Sequence, residues 1–329
     1  MTTLLTGGTG FVGSAVARAL AARGHALRLM VRPSSDRRNI AGLDADIALG
    51  DLTDPASLTR AARGCRYVVH VAADYRYWVP NPQQMLSTNV DGTLAMMRAA
   101  QEAGVERIVY CSSVAALGLT PDGSPADEAT PVDESVLVST YKRSKFYAER
   151  VVMDLVRADR LPAVVVNPAA PVGPRDIKPT PTGKMIIDAA NGAIPAYLDT
   201  GLNIVHVDDV AEGHVLALEK GRIGERYILG GENFPLKDLL ALIAQVAGRR
   251  PPTIRVREQW VWPLALAMEG FARVTGLPPS VTREHLKMAR KKMFFTSAKA
   301  AAELGYSPRP ARQAVEDAVA WFRAQNMVR

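Results

Sequence analysis

Residues 139–145 read STYKRSK, which sets a tyrosine, Tyr141, four residues before a lysine, Lys145. Positions i and i+4 share one face of a helix, so a phenol and an ammonium at this spacing can meet. A cation within about 4–6 Å makes such a group easier to ionise by roughly 1–3 pH units. A tyrosine placed this way can give or take a proton near neutrality. An exposed pair without chemistry has the same spacing, so the rest of the chain must decide. The apolar stretch 107–112 ends in Ser112 and Ser113. If it is a strand, those serines lie at the carboxyl edge where α/β sheets bind ligands. Ser113, Tyr141 and Lys145 can then converge on one reacting centre.

A second motif says what that centre would face. The first apolar stretch, 2–6, runs into TGGTGFVG, with Gly7, Gly10 and Gly13 three residues apart. Glycine permits positive φ and lets backbone approach a pyrophosphate closely. A helix opening at Phe11 and Val12 would turn its N–H groups toward the phosphates. Thr6 to Gly13 in a strand–turn–helix context therefore reads as a dinucleotide cradle. No Lys–Ser/Thr pair follows the glycines, which excludes a nucleotide triphosphatase loop. NAD-binding proteins usually place an acid about twenty residues further on, for the ribose hydroxyls. Residues 1–35 contain no Asp or Glu, and Arg32, Arg37 and Arg38 follow the second apolar stretch. Guanidinium groups there suit a 2′-phosphate, so the expected cofactor is NADP(H) rather than NAD(H). Asp51 and Leu52, in GDLTD, are expected near the adenine. Ala72, Ala73 and Asn89 end the next elements on the same side.

The elements that must position these residues alternate. Apolar strands are expected at 2–6, 26–31, 67–72, 107–112 and 162–167, with helices near 12–23, 55–62, 84–104 and 142–158. Strands separated by helices of this length imply βαβ units and a parallel sheet covered on both faces. The fold class expected is α/β, a Rossmann-type doubly wound parallel sheet with a smaller C-terminal substrate domain. The rhythm breaks in NPAAPVGPRDIKPTPTG, with prolines at 168, 171, 174, 179 and 181, which reads as loop. Residues 1–167 are thus expected to bind NADP(H) and 168–329 mainly substrate, with 203–220 packing back on the first unit. Further helices are expected near 183–192, 235–247, 258–275, 280–291, 297–304 and 310–326.

Composition narrows the function classes. Of 329 residues, 48% are hydrophobic and 22% charged, ordinary for a soluble globular chain. Cys65 and Cys111 have no metal-like spacing and read as buried hydrophobes. His206, Asp208 and Asp209 read as strand-end and helix-cap residues, so no metal is expected. The start lacks the pattern of a signal peptide, and no apolar run reaches the ~18 residues of a span. A cytoplasmic protein is expected. The net charge of +7 is dispersed and accompanies no nucleic-acid motif. Trp260, Trp262, Leu264 and Leu266, with the basic residues 290–292, form either a packed lid or a face that docks on the inner side of a membrane.

In order and at suitable separations, TGGTGFVG, CSSVAALG, Tyr141-x-x-x-Lys145 and NPAAPVGP resemble the extended short-chain dehydrogenases/reductases. HVDDVAEGH and SAKAAAELGYSPRP carry the resemblance through the C-terminal half. HVAADYRYW, NPAAPVGPRDIKPTPTG, YLDTGLNIVHVDDVA and ARKKMFF look more narrowly like the hopanoid-associated sugar epimerases. The resemblance implies that Tyr141 is the acid/base and that Ser113 hydrogen-bonds the reacting oxygen. It also implies that Lys145 eases ionisation of the phenol and holds the nicotinamide ribose. Ser112, Pro168 and Pro171 would line the cofactor, and helices 84–104 and 142–158 would form a homodimer interface. Asn203 stands where sugar-nucleotide epimerases commonly carry a diphosphate-binding arginine. There, and at RKKMFFTSAK, the chain is similar to dihydroflavonol 4-reductases. The expected activity is reversible hydride transfer at a carbinol/ketone carbon. Either a hopanoid-associated sugar epimerase or an NADPH-dependent ketone/aldehyde reductase would do this. A redox sensor that binds cofactor without chemistry could dispense with the Tyr–Lys pair. Substrate walls are expected from Tyr75, Tyr77, Trp78, the 168–181 stretch and the 260–268 helix, with Arg175, Lys178 and Lys184 as cations and Asn203 nearby. Three aromatics and an apolar helix favour a small molecule with hydrophobic area.

Overall fold

The computed structural model describes residues 1–75, 81–134, 137, 139–257, 259–263, 265, 266, 268 and 292–329. Its first six strands are β1 (Thr2–Thr6), β2 (Ala26–Val31), β3 (Ala45–Leu49), β4 (Tyr67–His70), β5 (Arg107–Cys111) and β6 (Ala163–Pro168). After them come β7 (Ala170–Val172), β8 (Ala196–Tyr197), β9 (Gly201–His206) and β10 (Arg226–Leu229). A seven-stranded, wholly parallel sheet runs β10-β6-β5-β4-β1-β2-β3. Chain order reverses beside β1, so a crevice opens above the ends of β1 and β4, where open α/β sheets take ligands.

The central strands read as unbroken apolar runs because both their faces are covered. Leu4, Leu5, Val68, Val69, Ile108, Val109, Val164 and Val165 are each fully buried. One face packs on α1 (Phe11–Ala22) and α6 (Val207–Lys220), through Leu5, Val16, Leu20 and Val215. The other packs on α2 (Pro55–Ala62), α3 (Pro82–Glu102) and α4 (Thr140–Asp159), through Leu58, Met96, Met97 and Val152. β3 was not among the five expected apolar strands. It is the sheet's outer edge and leaves Leu49 57% exposed, so it carries little hydrophobic signal.

A smaller sheet centres on β9. It pairs antiparallel with β11 (Glu232–Pro235) and parallel with β7 and β13 (Lys292–Met293). The short β12 (Ile254–Arg255) pairs with β8. Helices α5 (Pro181–Ala190), α7 (Leu236–Ala247) and α9 (Ala311–Ala324) cover the smaller sheet through Ile186, Leu239, Ile243, Val315 and Phe322. The helix α8 (Ala298–Leu304) lies against α6 and β10 instead. Two expectations change here. The proline-rich stretch is not all loop: it contains β7, whose Pro171 is tolerated because β7 pairs on one side only. The large sheet also takes β10, so it draws strands from both sides of residue 167, and from beyond 203–220. The expected 280–291 helix and most of the 258–275 helix lie outside the described residues. Among the described residues, no helix is long and apolar enough to cross a membrane.

Candidate active site

The turn after β1 is built by close approach. Gly7 has φ +74°, and a Cβ there would lie 2.7 Å from the Ala72 nitrogen. A Cβ on Gly13 would lie 2.0 Å from the Gly7 carbonyl oxygen. Gly10 donates to that carbonyl at 2.9 Å and caps α1 without a side chain. The first-turn N–H groups at Phe11, Val12 and Gly13 therefore face outward with no intrahelical acceptor. A Cβ on Gly10 would meet only the Gly7 oxygen within 4 Å, at 3.3 Å, and otherwise points into open space. That space, a helix N-terminus without acidic residues in its first turn, suits a pyrophosphate. Thr6 ties the crevice together. Its Oγ1 lies 2.7 Å from His70 Nδ1 and accepts from the Ala72 nitrogen at 3.2 Å. Ala73 is half-buried on the same rim.

At the other end of the crevice the three arginines differ. Arg32 and Arg37 are exposed, whereas Arg38 forks onto Asp36, with Nε to Oδ2 at 3.0 Å and Nη2 to Oδ2 at 2.7 Å. The Arg38 side chain, then its N–H, hold the Asp36 carboxyl down at about 2. Burial pushes Asp51 up, but the Thr53 N–H and hydroxyl, with the Arg32 charge, bring it below the usual range. Leu52 is buried against Gly92.

Beyond β5, Ser139 caps α4 by accepting from the Lys142 nitrogen, which places Tyr141 in the first turn. Lys145, one turn on, is only 4% exposed, and its Nζ donates to the Cys111 carbonyl at 3.0 Å. Burial pushes the ammonium pKa down, while Cys111 and Glu149 push it back up. Ser113 follows β5, and its Oγ accepts from the Ala115 nitrogen at 3.1 Å, leaving its proton for another acceptor. Ser112 Oγ is buried without a partner, an orphan hydroxyl at the carboxyl edge. Pro168 is buried and Pro171 half-buried at the end of β6 and in β7.

Asn89, expected near the cofactor, has partners within the protein. Its Oδ1 accepts from the Asp74 nitrogen at 2.7 Å. Its Nδ2 donates to the Asp74 carbonyl at 2.8 Å and to Ser144 Oγ at 2.9 Å. Ser144 in turn donates to the Tyr141 carbonyl at 2.8 Å. Asn89 thus straps the segment after β4 to the first turn of α4.

Three residues that motif reading passed over complete the site. Glu149, one turn past Lys145 and 4% exposed, accepts from Asn167 Nδ2 at 2.7 Å and from Arg226 Nη1 at 3.1 Å. Asn167 Nδ2 also reaches the Ser113 carbonyl at 3.1 Å. The available signal was the third polar residue in Tyr141-x-x-x-Lys145-x-x-x-Glu149, at the same helical spacing.

Of the expected substrate residues, Tyr77 and Trp78 lie outside the described residues. Tyr75 is 41% exposed; desolvation, then Asp176 and Asp74, raise its phenol. Arg175 pairs with Asp208 through Nη2, while its Nε is buried without a partner. Lys184 pairs with Asp188. Lys178 is exposed, but its charge reaches Asp36, which places it toward the Arg32–Arg38 loop. Asn203 is engaged within the protein. It is 2% exposed, accepts from the Gly231 nitrogen at 2.8 Å, and donates to Asn233 Oδ1 at 2.8 Å and to the Phe295 carbonyl at 3.2 Å. It is a strut of the small sheet. Trp260 is 75% exposed. His206 caps α6 by accepting from the Asp208 nitrogen.

The chain is similar to proteins of several activities. It is 40% identical, over 99% of its length and 95% of the relative's, to a Synechocystis sp. protein provisionally named a dihydroflavonol 4-reductase. It is 34% identical, over the full length of both, to sterol demethylase protein B of Methylococcus capsulatus. Among solved structures, gox2253 is 61% identical with a TM-score of 0.91, covering 100% of this chain and 99% of that one. PA4631 of Pseudomonas aeruginosa, described as a nucleoside-diphosphate-sugar epimerase, is 30% identical with a TM-score of 0.82, covering 100% of this chain and 99% of its own. The family model for NAD dependent epimerase/dehydratases matches residues 3–230, from β1 through the last strand of the large sheet. The chain is an enzyme of the NAD dependent epimerase/dehydratase family.

Proposed function

We propose that the protein is an NADP(H)-dependent oxidoreductase that interconverts a ketone and a carbinol on a substrate with substantial apolar area. The observation that carries this reading is the buried Lys145 ammonium, one helical turn from Tyr141 and at the same sheet edge as Ser113. A retained buried cation is costly unless it serves a purpose, and a cofactor-binding sensor has no use for it. The glycine cradle and the orphan Ser112 hydroxyl fit a dinucleotide. Thr6 to Gly13 would hold its pyrophosphate, Arg32 and Arg37 a 2′-phosphate, and Lys145 the nicotinamide ribose. When bound, the nicotinamide supplies or accepts the hydride.

The chain's residues manage the proton. In reduction Tyr141 gives its phenolic proton to the carbonyl oxygen, and in oxidation it takes one from the carbinol. Ser113 donates a hydrogen bond to the same oxygen. The Lys145 charge favours negative charge on the oxygen that has lost its proton.

Asn203 is engaged within the small sheet, and Arg175 Nη2 and Lys184 pair with Asp208 and Asp188, which argues against a free nucleotide-sugar needing fixed contacts to its diphosphate. The likeness to a named reductase and to a sterol-processing protein points the same way. A second reading is epimerisation of a sugar carried on a hopanoid or similar lipid; the likeness to PA4631 supports sugar epimerisation, the resemblance to the hopanoid-associated epimerases suggests the lipid, and the proton chemistry is the same. The face of α3 and α4 that leaves Leu94 and Tyr147 exposed is where we place a homodimer contact. The deciding experiment incubates enzyme and NADPH with bulky apolar ketones, hopanoid-linked sugars and UDP- or GDP-sugars, following absorbance and NMR. The reductase reading expects one NADPH consumed per product, and an epimerase consumes none. Productive turnover of a simple nucleotide-sugar overturns the apolar-substrate reading.

A further inference from the structure

The Asn39 side chain joins two segments that motif reading kept apart. Its Nδ2 donates to the Thr9 carbonyl at 3.3 Å, in the glycine-rich turn, and to the Arg175 carbonyl at 3.1 Å, beyond β7. Asn39 is 6% exposed, and its own carbonyl accepts from Arg18 Nη2 at 3.0 Å, so α1 anchors it from behind.

Arg175 is held at φ 75°, a left-handed conformation that costs a non-glycine residue roughly 1–3 kcal/mol. Such a residue persists only where its surroundings fix it. Here Asn39 fixes the carbonyl, and Asp208, at the start of α6, fixes the guanidinium. Three residues further on, the exposed Lys178 lies near enough for its charge to add, after that of Arg38, to the lowering of Asp36. The segment 175–178 therefore lies along the same loop that carries Arg32, Arg37 and Asn39.

We propose that residues 175–178 form the second jaw of the cofactor's adenosine end. Asn39 latches the jaw to the glycine-rich turn, and Lys178 adds a cation to Arg32 and Arg37 for the 2′-phosphate. This rests on the NADP(H) reading above and deepens it. The Asp36 carboxylate is already saturated by its fork with Arg38, so the Lys178 charge is available to a further anion. The latch and the charge do separable work. The latch holds the jaw whichever dinucleotide is present, whereas Lys178 distinguishes the phosphorylated one.

The test measures NADPH and NADH binding to the whole protein by titration calorimetry, and dissociation rates by stopped-flow fluorescence. Lys178→Ala is expected to weaken NADPH by roughly two- to fivefold, the size of one exposed charge contact, and to leave NADH unchanged. Asn39→Ala is expected to speed dissociation of both dinucleotides while keeping their affinity ratio. Arg32→Ala runs in parallel. If Arg32→Ala collapses the NADPH preference but Lys178→Ala leaves it intact, the jaw has no role in the 2′-phosphate site. If the unsubstituted protein binds NADPH and NADH equally, the NADP(H) reading itself fails, and the Asn39 rates then judge the latch alone. Unchanged dissociation from Asn39→Ala overturns the latch. Because Asn39 is buried, Arg175→Gly serves as the second variant: it relaxes the strained φ and removes the Asp208 anchor, and should speed dissociation likewise.

Discussion

Glu149 Oε2 and Asn167 Nδ2 are 2.7 Å apart, and the same nitrogen reaches the Ser113 carbonyl at 3.1 Å. One buried carboxylate is thus tied to the backbone of the serine and lies one helical turn from Lys145. Burial drives the Lys145 pKa down, and Glu149 is among the groups that oppose this. Glu149→Gln keeps the shape and can still accept from Asn167, but it removes the charge. Turnover should fall, and the alkaline limb of the pH–rate profile should move to lower pH, because the ammonium is then easier to deprotonate. A lowered melting temperature with an unmoved pH profile would mean that Glu149 only holds the fold.

Tyr141→Phe removes the transferable proton and keeps the ring. Loss of general acid–base catalysis typically costs about 10²–10⁴ in rate, so turnover should drop by at least two orders of magnitude. Because the Asn89–Ser144 strap engages the Tyr141 backbone and not its phenol, the helix start and cofactor affinity should survive. Near-normal turnover on an authentic substrate would remove Tyr141 from the mechanism.

Two glycines separate the cradle's shape from its contents. A Cβ on Gly13 would sit 2.0 Å from a backbone oxygen, while one on Gly10 would meet that oxygen at 3.3 Å and otherwise project into open space. Gly10→Ala should therefore weaken dinucleotide binding by tenfold or more, about 1.4 kcal/mol, with little change in melting temperature. Gly13→Ala should lower both. Equal loss of stability in the two variants would show that the open space beside Gly10 is not the pyrophosphate site.

The parts of this fold that the sequence exposes are those with a strong local cause. The buried central strands read as apolar runs, and Gly7 and Gly13 are there because no side chain fits. β3 was missed because an edge strand has only one neighbour and need not be apolar. β7 was missed because prolines usually signal loop, and here one of them sits on a strand paired on a single side. Motif positions suggest ligand contacts for Asn89, Asn203 and Arg175, and do not show that each also has a partner within the protein. Their partners, Asp74, Gly231 and Asp208, lie 15, 28 and 33 residues away, and spacing along the chain does not report such pairings. Glu149 was visible as an i+4 neighbour, but its role depends on Asn167 and Arg226, which only the folded sheet brings to it.

Buried histidines should make the protein acid-labile. His70, between Thr6 and Thr93, is pushed by burial to about 3, and His214 likewise to about 4. An unfolded histidine titrates near ~6.5, so below that pH the unfolded chain binds protons that these two residues refuse in the native state. Stability rises with pH wherever the unfolded state binds more protons, so both contributions are present at neutrality and are lost as pH falls. Asp176 runs the other way. Burial raises it to about 6, against the Thr180 N–H and hydroxyl that oppose the shift, so it takes up a native-state proton over the same range. Two histidines against one carboxyl leave about one net proton in favour of the unfolded chain near pH 5, a slope of ~1.4 kcal/mol per pH unit. His25 and His206, both lowered first by burial, add to it. Urea titrations at pH 7, 6 and 5 should therefore show unfolding free energy dropping steadily with acidity. Replacing Asp176 with Asn should steepen that drop, because its opposing contribution is gone. A stability that is flat between pH 7 and 5 would mean that His70 and His214 gain protons without unfolding, and that their burial is not what the native state defends.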